Sequence, residues 1–147
     1  AELKEFCAAQ PDDSLEGVLE LHLADNQIGD EGVRSLIDAL RRGVAPHLKL
    51  LDLNDNRVGD DGVRALAAAC AEGALSELQT LLMEDNLIGE AGFTALTEAV
   101  CNEGALPSLQ DVFMTNSFEH AEVADDTGVL VVHRDSSSRV EELPVSR

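Results

Sequence analysis

Leu51-Asp52-Leu53-Asn54-Asp55-Asn56-Arg57-Val58-Gly59-Asp60-Asp61-Gly62-Val63-Arg64-Ala65-Leu66 decides the fold, because the chain writes this stretch more than once. Thirty residues earlier stands Leu21-His22-Leu23-Ala24-Asp25-Asn26-Gln27-Ile28-Gly29-Asp30-Glu31-Gly32-Val33-Arg34-Ser35-Leu36. Thirty residues later comes Leu81-Leu82-Met83-Glu84-Asp85-Asn86-Leu87-Ile88-Gly89-Glu90-Ala91-Gly92-Phe93-Thr94-Ala95-Leu96. A weaker copy, Val112-Phe113-Met114-Thr115-Asn116-Ser117-Phe118, follows 31 residues on, with Ser117 where Asn would stand. A fixed period of this size marks a stack of like units, each unable to bury its own apolar face.

Each unit reads as strand, turn, helix and return. Leu51 and Leu53 alternate with Asp52, which makes a short strand with one face turned inward. The Asn at 26, 56 and 86 closes the strand, where its amide can satisfy backbone groups of its own and the neighbouring copy. Gly29, Gly59 and Gly89 are expected in a backbone conformation that a Cβ would penalise. Asp30, Asp60 and Glu90 precede the helical pattern and are expected to favour its N-terminus by capping or by dipole. Val33, Leu36, Ile37 and Leu40 then recur at helical spacing, as do Val63, Leu66, Ala67 and Cys70, and Phe93, Leu96, Ala99 and Val100. Gly43, Gly73 and Gly104 read as helix stops, and Leu48, Leu78 and Leu109 lead back to the next strand.

These positions resemble the leucine-rich repeat family in its ribonuclease-inhibitor-like subclass. The family pattern L-x-x-L-x-L-x-x-N-x-[IVL]-G-x-x-G-x-x-x-L is met at Leu48, Leu51, Leu53, Asn56, Val58, Gly59, Gly62 and Leu66. The resemblance covers residues 18–118 and implies an α/β solenoid: a right-handed β-α superhelix with a short parallel sheet on the concave face and helices on the convex face. Strands pack about 4.8 Å apart whereas helices need roughly 8–10 Å, so such a stack must bend with its strands inside. The same resemblance extends to the repeat domains of Ran GTPase-activating proteins, NOD-like receptors and tropomodulin. It therefore implies two alternative roles: regulation of a small GTPase, with Arg57 the only arginine on a turn, or actin capping.

Residues 1–17 are read as a helical cap or partial repeat, with Leu3, Phe6 and Cys7 on one side. Residues 119–135 are read as a hairpin, Glu119–Val123 and Val129–His133 about an acidic turn, closing the last repeat. The other reading of that segment is an exposed strand that seeks a partner chain. Residues 136–147 are read as a polar tail.

Composition narrows the function. The chain has 147 residues, enough for one domain with a core, and 44% are apolar. Ten Lys and Arg face 29 Asp and Glu, for a net charge of −19. So acidic a surface repels phosphate backbones and anionic lipid, and the absence of Tyr and Trp removes platforms for stacking bases. Nucleic acid and direct membrane insertion are thus disfavoured. The odd count of three cysteines, with Cys70 and Cys101 in apolar helical stretches, reads as reduced structural thiols in a reducing, cytoplasmic compartment. A leader removed ahead of Ala1 would leave the same row. No phosphate loop, nucleophile elbow or His-Glu-x-x-His occurs, and the histidines lack ligand spacing, so no enzyme, metal or cofactor is expected. Asp52-x-Asn54-x-Asn56 imitates a calcium loop, but Arg57 stands at the obligatory glycine and Val63 at the closing Glu.

What remains is a surface for a protein partner, with the chain acting as adaptor or subunit of a larger complex. His22, Asp52, Leu82 and Phe113 occupy the water-facing strand position in successive units. Asn54 and Glu84 follow them, Leu50 precedes, and Arg57 and Leu87 sit on the turns. Asp25, Asp30, Glu31, Asp55, Asp60, Asp61, Glu84, Asp85 and Glu90 gather on one rim, read either as a solvated edge or as an acidic lip that steers a basic partner. The apolar pair Leu82 and Phe113 is either a binding hot spot or a patch that the closing hairpin covers.

Overall fold

The computed structural model describes residues 15–102, 104–115, 129–134 and 140–142, with residue 115 and the last two segments described by backbone alone. Three helices of equal length follow three strands in alternation: β1 (Glu20–His22), α1 (Asp30–Arg41), β2 (Leu50–Asp52), α2 (Asp60–Ala71), β3 (Thr80–Met83) and α3 (Glu90–Cys101). Strands β4 (Asp111–Thr115), β5 (Val129–Arg134) and β6 (Val140–Glu142) complete one sheet in the order β1-β2-β3-β4-β5-β6. The first four strands are parallel, and each pairs with the next without a slip, Leu21 beside Leu51, Leu51 beside Leu81 and Leu81 beside Val112. The offset is thirty residues for the first two pairs and 31 for the third, and the inward apolar positions hold the register, since a slip of one residue would turn them to water.

The core lies between sheet and helices. Leu51, Leu53, Leu81, Met83, Val112 and Met114 point into it from the strands, and Val33, Leu36, Ile37, Val63, Leu66 and Leu96 meet them from the helices. Leu48, Leu78 and Leu109 seal the return segments. Helix α1 begins on Asp30 and Glu31 and carries Arg41 in its last turn, charges that suit its dipole. Gly43 and Gly73 end α1 and α2 in the left-handed region, at φ 80° and 83°. There the Gly43 and Val44 amides bond back to the Leu40 and Ala39 carbonyls, the two closing bonds of a glycine-terminated helix. Helix α3 ends differently: Asn102 caps it with extended backbone, and its side chain accepts the Gly104 amide.

Four expectations need correction. Gly29, Gly59 and Gly89 are extended, not left-handed, with φ −99°, −103° and −90°. What demands glycine at the latter two is crowding from the preceding repeat: a Cβ on Gly89 would lie 2.8 Å from an Asp60 carboxylate oxygen. Of the two expected ways for Asp30 and Asp60 to favour their own helices, the first-turn charge is present but the cap is not, and each side chain reaches to the next unit, as described below. Cys101 is exposed, because it falls at the last residue of α3 after the buried face has passed. The segment expected as a polar tail contributes β6, since β5 would otherwise leave its outer N–H and C=O groups unpaired.

Val129–His133, expected as a strand, lies within β5, which pairs antiparallel with β4, Phe113 opposite Val131. β5 is thus a continuation of the sheet rather than a layer across it. The expected N-terminal helix with Cys7, the strand at Glu119–Val123 and its acidic turn lie outside the described residues.

Candidate functional site: the strand face

The register gathers the expected site residues into rows. His22, Asp52, Leu82 and Phe113 stand side by side on adjacent strands, as do Glu20, Leu50, Thr80 and Asp111 two residues earlier. Both rows face away from the helices. His22 and Glu20 are exposed, whereas Leu50, Asp52, Leu82 and Phe113 are half-buried. Leu87 does not join them. It occupies the turn with Gln27 and Arg57, one per unit, and is 62% exposed, the most exposed large apolar side chain among the described residues.

A polar network crosses this face. The His22 ring lies between two carboxylates, Nε2 at 3.1 Å from Glu20 Oε2 and Nδ1 at 3.6 Å from Asp52 Oδ2. The Glu20 contact is the main cause that raises the His22 pKa above its ordinary 6.5, against a smaller desolvation, with Asp52 adding to the rise. The other Asp52 oxygen accepts the Asn54 amide at 3.1 Å, and Asn54 Oδ1 accepts the Glu84 amide at 2.7 Å. His22, Asp52, Asn54 and Glu84 are thereby linked across three strands.

Behind the face, the amides at the strand ends form a ladder. Asn56 Oδ1 accepts the amides of Asn26 and Ile28, and its Nδ2 donates to the carbonyls of Leu23, Leu53 and Asn54. Asn86 repeats the pattern with the Val58 amide and the carbonyls of Leu53, Met83 and Glu84. Asn26, at the start of the stack, is exposed and bonds the Ala24 carbonyl.

Two features escaped the sequence reading. Asp25, Asp55 and Asp85 adopt the left-handed region at φ 57°, 53° and 54°, and Gln27 does so at 56°. Asp tolerates that conformation better than most side chains, and its recurrence just ahead of the ladder Asn was the available signal. Asp30 and Asp60 also differ from free members of an acidic lip. Asp30 Oδ1 accepts the Gly59 amide at 2.7 Å, and Asp60 Oδ1 accepts those of Gly89 and Gly92 at 2.7 and 3.0 Å. Each carboxylate thus serves the open N–H groups at the start of the following helix. The signal was the second glycine of each turn, since a Cβ on Gly62 would sit 2.6 Å from Asp30 Oδ1.

Residues 18–36 and 44–67 match the family model for the leucine-rich repeat. The fold is a leucine-rich-repeat solenoid. The third repeat, outside the matched residues, keeps the same strand, amide and helix positions in the structure. No curated protein matches the chain. Leucine-rich repeats are generally protein-interaction modules and typically non-enzymatic. Among the described residues, no group of three or more His, Cys, Asp or Glu side chains could hold a metal ion, and no helix is long and apolar enough to cross a membrane.

Proposed function

We propose that the chain is a non-catalytic protein-binding module, an adaptor or assembly subunit that holds its partner on the concave strand face and its acidic turn rim. One observation carries this reading. Leu82 stands half-buried in a row that faces away from the helices, between the charged Asp52 and the aromatic Phe113. An apolar group in that position gains free energy when a partner covers it, and surrounding carboxylates guide the approach. The reading includes a reducing, cytoplasmic setting, consistent with the thiol of Cys70 packed in the core.

The test is affinity purification from the native source with quantitative mass spectrometry, wild type against Leu82→Asp. Proteins retained by the wild type should fall by about tenfold or more with the variant, as expected when a central contact is lost. Circular dichroism should show the variant folded. Equal recovery by both forms would remove the concave face as the binding site.

A role as a small-GTPase regulator has one observation in its favour, the exposed Arg57 side chain on its turn. It requires that the chain speed GTP hydrolysis and that Arg57→Ala abolish the effect. The actin-capping alternative gains no support from any residue on this face.

A further inference from the structure

One row of the strand face is chemically divided. His22 and Asp52, on β1 and β2, make one end ionic, with Glu20 beside His22, whereas Leu82 and Phe113, on β3 and β4, make the other end apolar. Asp52 is the pivot. Its side chain is only 16% exposed, one oxygen is held by the Asn54 amide, and the nearest cation among the described residues is His22, at 3.6 Å. Neutral His22 leaves that carboxylate without a full countercharge, in surroundings where a partly desolvated ion gains most from one. Leu82 lies on the adjacent strand, directly beside Asp52 in the register. The spacing between them is that of neighbouring strands, about 4.8 Å.

We infer that the partner is a basic polypeptide segment that crosses the strands, with a Lys or Arg side chain over Asp52 and a large apolar side chain over Leu82. This rests on the concave-face reading and adds the partner's chemistry to it. The net charge of −19 favours the encounter of such a segment over that of an acidic one. Glu20, two residues before His22 on β1, extends the acidic end of the track that receives the cation, and Leu50, beside Glu20 on β2, adds an apolar contact there. Protonated His22 competes for the same carboxylates, Glu20 from its own strand and Asp52 from β2.

The experiment is selection of a random displayed peptide library on the full chain, followed by affinity measurement of the enriched peptides by fluorescence anisotropy. Enriched peptides should join a large apolar residue to Lys or Arg. Their affinity should fall by about tenfold or more with Leu82→Asp, and by roughly three- to tenfold with Asp52→Asn, which keeps an oxygen for the Asn54 amide. Binding should weaken with added salt, and weaken as pH falls through the His22 titration in the wild type but not in His22→Asn. Peptides that need Leu82 yet are neutral or acidic would overturn the inferred chemistry and leave the concave-face reading intact. A selection that gives no peptide dependent on Leu82 would overturn both.

Discussion

The amide ladder gives each asparagine a different weight although the letters are the same. Asn56 is buried and satisfies backbone groups from two repeats, so Asn56→Ala strands several of them away from water. At roughly 1–3 kcal/mol for each stranded group, less what relaxation recovers, a loss of about 3 kcal/mol is expected in urea unfolding. Asn26→Ala, at the exposed start of the ladder, should cost about 0.5 kcal/mol. The thiols divide in the same way. Burial pushes Cys70 up to about 12, whereas Cys101 is exposed. Alkylation of the native protein followed by peptide mapping should therefore label Cys101 and spare Cys70 until the chain unfolds. Labelling of Cys70 at the same rate would contradict the packing of α2. His22 adds a pH signature. Its pKa is raised on folding, so its contribution to stability is complete below the ordinary value of 6.5 and is lost as pH climbs through the raised value. Glu20→Gln removes the largest cause, and an NMR titration should show the imidazole moving back toward 6.5.

At the scale of the element, the unit of construction is a helix start served by the previous repeat. Asp30 reaches the Gly59 amide and lies where a Cβ on Gly62 would fall. Gly62→Ala should cost about 1–3 kcal/mol by crowding. In the Asp30→Ala background the carboxylate is gone, so the same change should cost less, and a double-mutant cycle in urea measures the difference. Strict additivity would mean that the carboxylate and the glycine do not meet. This coupling shows what could be read in advance and what could not. The strands, helices and their register were legible because the apolar positions of Leu51, Leu53 and Leu66 recur thirty residues on either side, and periodicity reports burial. The direction of Asp30 was not, because an acid at a helix start reads alike whether it serves its own helix or its neighbour's. β6 was missed because Val140–Glu142 holds one apolar residue, and its pairing is imposed by the edge of β5.

At the scale of the molecule, repeated units make a sheet whose water-facing side is long in one direction and varied in content. The inner positions are nearly uniform, Leu21, Leu51, Leu81 and Val112, because each must fill the same space. The outer positions, His22, Asp52, Leu82 and Phe113, are free of that demand and differ in every repeat. The row itself is legible from the alternation, and Leu87, expected on a turn beside it, stands on that turn away from the row. Uniform inside and varied outside is the arrangement that lets one scaffold carry a specific surface. The most direct measurement is amide chemical-shift mapping of the isotope-labelled chain on titration with the partner recovered by the wild type. The account predicts perturbations concentrated on residues 20–24, 50–54, 80–84 and 111–115, with α1 to α3 little changed. Perturbations centred on the outer surfaces of the helices, with the strand residues unmoved, would contradict it.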